Sequence, residues 1–332
     1  MEDRFGHRIS YLRISITDRC NERCRYCLPE EFQQWLPREG ILSYEEILRI
    51  VRVGTTLGIR KLRVTGGEPL TRRGLLPFLR ELRALPGIED LGISTNGTLL
   101  TTPDGAQSTA QSLKEAGVRS VNISLDTLDR ATYAEMAGRD YLPKVLAGID
   151  AALAAGVEQV KLNAVLMRGR NEDQLTDLID FAGERGLILR FIELMPVSTS
   201  EVLSEANFLS VGVARKRIEQ HYGALVPRTD LKGNGPALYY QIPGREQSIG
   251  FIGAMTNLHF CESCNKLRLT SDGKLRPCLG SHLEFDLLSV LRAGATDEEL
   301  KNFILQVVDR KPMEHDFRLN YQPNRRMVAI GG

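Results

Sequence analysis

Stretches with the apolar spacing of a helix give way, at a glycine, to short strands in which apolar and polar residues alternate. Five such junctions stand at LGIRKLRV (57–64), PGIEDLGI (86–93), AGVRSVNI (116–123), AGVEQVKL (155–162) and RGLILRFI (185–192). Their glycines, Gly58, Gly87, Gly117, Gly156 and Gly186, recur roughly every 30 residues. Each takes the place just past a helix where a left-handed residue closes it. The helix-like stretch 43–57 opens with Ser43 and Glu46 spaced as a capping box. With a first strand over 12–17, the pattern predicts six strand–helix units and a parallel α/β fold.

Parity within the strands says more than their existence. A parallel strand buried on both faces reads as continuous aliphatic sequence, and these do not. One parity carries Arg13, Ser15 and Thr17, then Lys61, Arg63 and Thr65, then Gly92 and Ser94, then Asn122, Ser124 and Asp126, then Lys161 and Asn163. The other parity is aliphatic. Around 190–195 parity is ambiguous. One face therefore packs on helices, and the polar face becomes the lumen if the sheet curls into a barrel. A lumen lined by Arg13, Lys61, Arg63 and Lys161 is costly while empty, because buried unpaired charge is strongly unfavourable, and Asp126 offsets only one of them. An anionic substrate resolves the conflict.

Composition narrows the class. The 332 residues are 42% apolar and 26% charged, a globular balance for one large domain or two modest ones. Forty-three Lys and Arg against 42 Asp and Glu give a net charge of +1, and aromatics are 6%. Neither a basic nucleic-acid binder nor a base-stacking surface is expected. No apolar run approaches the roughly 18 residues of a membrane helix, and MEDRFGHRISYLRIS has no apolar h-region. A cytoplasmic protein with no membrane partner is expected.

Six cysteines fall into two groups of three: Cys20, Cys24 and Cys27 as C-x3-C-x2-C, and Cys261, Cys264 and Cys278 as C-x2-C-x13-C. In a cytoplasmic chain of this size such spacing points to metal ligation rather than disulfides. The first group follows the first strand, at the end where parallel α/β folds build active sites. Three thiolates can hold a four-iron cluster and leave one iron open; a zinc site completed from afar is the alternative, although no histidine stands at zinc-finger spacing. In the second group, Ser271, Asp272 and Gly273 supply a hairpin turn. It too has no close fourth ligand, so a second open cluster fits better than a zinc ribbon, with a substrate nitrogen or oxygen as another fourth ligand.

CNERCRYCLP (20–29) and TGGEP (65–69) resemble the two signatures of the radical S-adenosylmethionine superfamily. With FCESCNKLRLTSDGKLRPCL (260–279) and the terminal Gly331-Gly332, the whole chain resembles the GTP 3′,8-cyclase family of molybdenum cofactor biosynthesis. The resemblance implies a partial (βα)6 TIM-like barrel over 1–222. A C-terminal α+β extension over 223–332 carries the second cluster and closes the barrel. It implies two [4Fe-4S] clusters, one on each cysteine group, and S-adenosylmethionine as cofactor, bound by the open iron and cleaved to a 5′-deoxyadenosyl radical that takes the C3′ hydrogen of GTP before C3′ attacks C8. Tyr26, Gly67, Ser124 and Met195 match positions that contact S-adenosylmethionine. Arg13, Arg63, Ser94, Lys161, Lys266, Leu267 and Arg268 match positions that contact GTP. Gly331 and Gly332 match a tail that reaches the active site.

An external electron donor and an enzyme making cyclic pyranopterin monophosphate from the product are the implied partners. A homodimer is compatible with the resemblance. There are departures from the family pattern: Lys266 stands where many relatives have Arg, the segment 197–210 lacks a common Trp-containing stretch, and Glu22 beside the cysteines has no evident role, with solvent as its expected surroundings. Two rival readings remain, another radical enzyme with an auxiliary cluster and a non-catalytic iron–sulfur or zinc protein.

Overall fold

The computed structural model describes residues 1–28, 34–197, 203–231, 235–319 and 321–331. Six parallel strands follow one another in sequence and in space: β1 (Tyr11–Ser15), β2 (Lys61–Thr65), β3 (Asp90–Thr95), β4 (Ser120–Ser124), β5 (Gln159–Leu166) and β6 (Ile188–Glu193). Helices return the chain between them: α1 (Tyr44–Thr56), α2 (Leu75–Ala84), α3 (Thr109–Glu115), α4 (Arg130–Ala137), α5 (Leu142–Ala154) and α6 (Leu175–Glu184). This is the expected α/β repeat of six units.

The local signals operate as read. Ser43 caps α1, with Glu46 completing the box. Gly58, Gly87, Gly117, Gly156 and Gly186 all adopt positive φ, between 64° and 98°. The apolar parity of every strand packs into one large core with the inner faces of the helices.

After α7 (Val211–Tyr222), the remaining strands extend the same sheet at both edges rather than forming a second one. Of these, β7 (Leu238–Gln241) pairs antiparallel with β8 (Ser248–Ile252), and β8 pairs parallel with β6. At the far edge β9 (Lys266–Leu269) pairs parallel with β1, and β10 (Lys274–Arg276) turns back antiparallel on β9. Eight neighbouring strands are thus parallel, in the order β9-β1-β2-β3-β4-β5-β6-β8. The segments 1–222 and 223–332 are interwoven through this sheet. The sheet curls, because side chains from β9 at one edge and β8 at the other line a common cavity. Helices α8 (Leu287–Arg292), α9 (Asp297–Asp309) and α10 (Met327–Ile330) complete the chain, α9 packing on α1.

Candidate active site

The cavity enclosed by the curled sheet has a volume of about 380 Å³. Both cysteine groups line it, and all six thiols are free.

The first group sits on a loop fixed from below. Gly67 N–H donates to the Thr17 carbonyl and Glu68 N–H to the Arg19 carbonyl, each at 2.8 Å. This approach demands glycine: a Cβ on Gly67 would lie 2.4 Å from the Arg19 carbonyl oxygen. The Glu68 carboxylate, fully buried, accepts from Leu70 N, Thr95 Oγ1 and Asn96 N, tying the end of β2 to that of β3. Farther along, Arg23 and Arg25 N–H groups bond the carbonyls of Ala137 and Met136 at the end of α4. Cys27 and Leu28 N–H both donate to the Cys24 carbonyl, closing a turn that sets the thiols side by side.

Glu22 does not face solvent. It is 3% exposed and accepts a hydrogen bond from Tyr133 Oη. Burial carries its carboxyl up to about 7. Tyr26 Oη donates to Asp126 Oδ2 at 2.6 Å, and Val165 N–H holds the other oxygen. Burial raises Asp126 to about 6. Tyr26, Gly67, Ser124 and Met195 all line the cavity near this acidic end.

The second group is built on the β9–β10 hairpin, whose turn uses Gly273 at φ +74°. The Thr270 hydroxyl donates to Asp272 and accepts from Lys274 N–H. Cys264 N–H donates to the Cys261 carbonyl, and Cys278 follows β10. Burial pushes the Cys278 thiol up to about 11. At Cys264 burial acts upward too, but the charges of Lys311 and Lys266 outweigh it and lower the thiol.

Cations occupy the wall between the groups: Arg13, Arg63, Lys161, Arg190, Lys266, Arg268 and Lys311. Burial brings Lys161 down to about 8, with Arg190 and Arg63 adding to the effect. It brings Lys266 to about 8 and, aided by Arg13, Arg268 to about 9. For Tyr11 burial acts upward, yet Arg63 and Arg13 together hold the phenol down at about 8. This is the electrostatics of a site that receives an anion.

Arg63 is already engaged. Its Nε donates to Tyr11 Oη, Nη1 to the Ile93 and Ser120 carbonyls, and Nη2 to Ser120 Oγ. Gly92 lies beneath it, where a Cβ would stand 2.5 Å from the guanidinium carbon. The lumen-parity glycine of β3 thus makes room for an arginine of β2.

Ser94 lines the cavity as expected, but Lys61 does not, although it stands in register with Tyr11, which does. The Leu267 side chain also lies elsewhere, 1% exposed in the apolar core, since its parity in β9 is opposite to that of Lys266 and Arg268. Gly331 packs against Ser15 and Thr65, and its carbonyl accepts from Arg268 Nη1 at 2.8 Å. Gly332 and 198–202 of the 197–210 segment lie outside the described residues. Tyr11, Arg190 and Lys311 are cavity residues the sequence reading missed. Tyr11 shares the parity of Arg13 and could have been found that way; Lys311 follows α9 and has no strand pattern to betray it.

Among the described residues no three His, Cys, Asp or Glu side chains close on a single metal ion. Three thiols in each group, free of competing ligands, suit an iron–sulfur cluster, where each sulfur takes a different iron.

The family model of the Radical SAM superfamily matches residues 14–182, and that of Molybdenum Cofactor Synthesis C matches 187–317. Proteins named GTP 3′,8-cyclase from Moorella thermoacetica, Pelotomaculum thermopropionicum and Thermodesulfovibrio yellowstonii are 46%, 43% and 44% identical to the chain, each over 100% of both lengths. The chain belongs to the GTP 3′,8-cyclase family. In fold this member of the family is similar to Streptococcus suis SuiB, solved bound to S-adenosylmethionine, with a TM-score of 0.60 at 17% identity over 90% of this chain and 69% of SuiB. Among the described residues no helix is long and apolar enough to cross a membrane.

Proposed function

We propose that this chain converts GTP to 3′,8-cyclo-7,8-dihydro-GTP, the first step toward the pterin of molybdenum cofactor. One observation carries the reading: two groups of three free thiols and a wall of buried and half-buried cations line one cavity. Cys20, Cys24 and Cys27 hold the first [4Fe-4S] cluster, and Cys261, Cys264 and Cys278 the second. Tyr26, Gly67, Ser124 and Met195 hold S-adenosylmethionine beside the first. When bound, that cluster and S-adenosylmethionine supply radical hydrogen abstraction, which no amino-acid side chain provides.

The chain's own residues bind and orient. Arg13, Lys161, Lys266 and Arg268 neutralise the triphosphate, whose charge relieves their mutual repulsion. Arg63, braced by Ser120 and Tyr11, holds one end of this set in register, with Ser94 beside it. Leu267 contributes through its main chain, as its side chain is in the core. Lys266 binds phosphate as a point charge where an arginine would bind it bidentately. Gly331, against Ser15 and Thr65, lies at the barrel mouth without a side chain to block it. The enclosed sheet excludes water. In the substrate the C3′–H bond breaks and a C3′–C8 bond forms. An electron from an external donor and a proton then reach the purine, so the product is an isomer of GTP. A cytoplasmic setting, a homodimer and a downstream enzyme forming cyclic pyranopterin monophosphate complete the proposal.

The test is anaerobic. The chain is reconstituted with iron and sulfide, given S-adenosylmethionine and dithionite, and 5′-deoxyadenosine is followed with and without GTP. A GTP-dependent burst with a product isomeric with GTP is expected. 5′-Deoxyadenosine that ignores GTP would leave a radical enzyme with another substrate.

A further inference from the structure

Beside the second thiol group lies a lysine with no carboxylate partner among the described residues. Lys311 is 2% exposed. Its Nζ donates to the carbonyls of Pro277 (2.5 Å) and Lys266 (3.3 Å) and to the Cys264 sulfur. Carbonyl dipoles ease the burial of an ammonium group but do not cancel its charge, and an uncompensated buried charge is strongly destabilising.

The segment that carries Lys311 wraps the whole group. His315 N–H donates to the Cys261 sulfur. Asp316 N–H donates to the Gly280 carbonyl at 2.6 Å, just past Cys278. The Phe317 ring covers Gly280 so closely that a Cβ there would stand 2.6 Å from it. Residues 311–317 thus supply an outer shell to the group, in which the charge of Lys311 acts on all three cysteines and that of Glu314 on Cys261 alone. Outer-shell hydrogen bonds and net charge set the potential of an iron–sulfur cluster.

We propose that Lys311 is the fixed counter-charge of the second cluster: a positioning residue that hydrogen-bonds Cys264, offsets the negative charge of the thiolate-bound cluster and raises its reduction potential. This rests on the two-cluster reading above. It explains how a lysine tolerates this site with no ion-paired acid among the described residues.

The experiment is an EPR-monitored redox titration of the anaerobically reconstituted full chain as wild type, Lys311→Met and Lys311→Arg. The expected result for Lys311→Met is at least tenfold less reduced second cluster at a fixed potential, a fall of about 59 mV for a one-electron couple. Lys311→Arg keeps the charge and should stay near wild type. A role in packing alone would lower the melting temperature or iron content of Lys311→Met and leave the potential in place, which would overturn the proposal. Should Lys311→Met fail to fold or lose the cluster, wild type labelled with 15Nζ-lysine decides. Pulsed EPR of the reduced second cluster should resolve a 15N coupling that Lys311→Arg lacks, and its absence from wild type would overturn the assignment. A wild type that takes up only about four irons would instead refute the two-cluster reading itself.

Discussion

Replacing Lys161 by methionine should stabilise the nucleotide-free protein and weaken its hold on GTP. Among the described residues no carboxylate pairs with Lys161, and burial followed by Arg190 and Arg63 brings it from 10.5 to about 8. At roughly 1.4 kcal/mol per unit, that shift corresponds to about 3 kcal/mol of disfavoured charge. Solvent reaches part of the side chain, so about 1–2 kcal/mol is the expected stabilisation in Lys161→Met at pH 7. The sign follows from proton counting. Below pH 8 the ammonium is charged in both folded and unfolded chains, and the penalty is complete. Between pH 8 and 10.5 the unfolded chain holds a proton that the folded one has lost, so wild-type stability rises with pH and the advantage of methionine fades. Denaturant unfolding at pH 7 and pH 10, with GTP binding by equilibrium dialysis at pH 7, measures both halves. A variant less stable than wild type at pH 7, or one that binds GTP as tightly, would show that Lys161 is neither penalised in the empty cavity nor used to hold the nucleotide.

The two thiol groups should separate in function: Cys24→Ala abolishes 5′-deoxyadenosine formation, while Cys264→Ala keeps the first cluster by EPR and loses the cyclised product by mass spectrometry. Gly92→Ala drives a Cβ to 2.5 Å from the Arg63 guanidinium carbon; overpacking of this kind costs about 1–3 kcal/mol, read as a lower denaturation midpoint. Arg325 pairs with Asp272 at 2.8 Å and with Glu284, anchoring the segment that leads to Gly331. Arg325→Ala should cost about 2 kcal/mol and make residues 321–331 more susceptible to carboxypeptidase, followed by intact-mass analysis.

The repeat was legible because its signals are local. A glycine that must turn left-handed and a serine that caps a helix act within a few residues, and Gly58 through Gly186 and Ser43 all behave as read. Strand parity found Arg13, Ser94, Ser124 and Lys161 for the same reason, since alternation is a property of the backbone. It missed Arg190 because β6 reads Ile188, Leu189, Arg190, Phe191, Ile192, Glu193, with a charge on each parity. Glu193 is taken by Val211, Met255 and Thr256, a long-range arrangement that the strand itself does not encode. Lys61 was misplaced because it shares the parity and the register of Tyr11, and parity alone does not tell which of the two side chains reaches the cavity. The joining of β8 and β9 to opposite edges of the sheet was not legible either, as edge pairing depends on which edge remains open after the six units have assembled.

In the proposed function one cavity brings the radical formed beside Cys20, Cys24 and Cys27 to the ribose of GTP held by the cationic wall. Turnover of GTP deuterated at C3′ tests it most directly, with 5′-deoxyadenosine analysed by mass spectrometry. The expected result is 5′-deoxyadenosine heavier by one deuterium, together with a cyclised product that has lost the label. Unlabelled 5′-deoxyadenosine, with deuterium retained in the nucleotide, would contradict it.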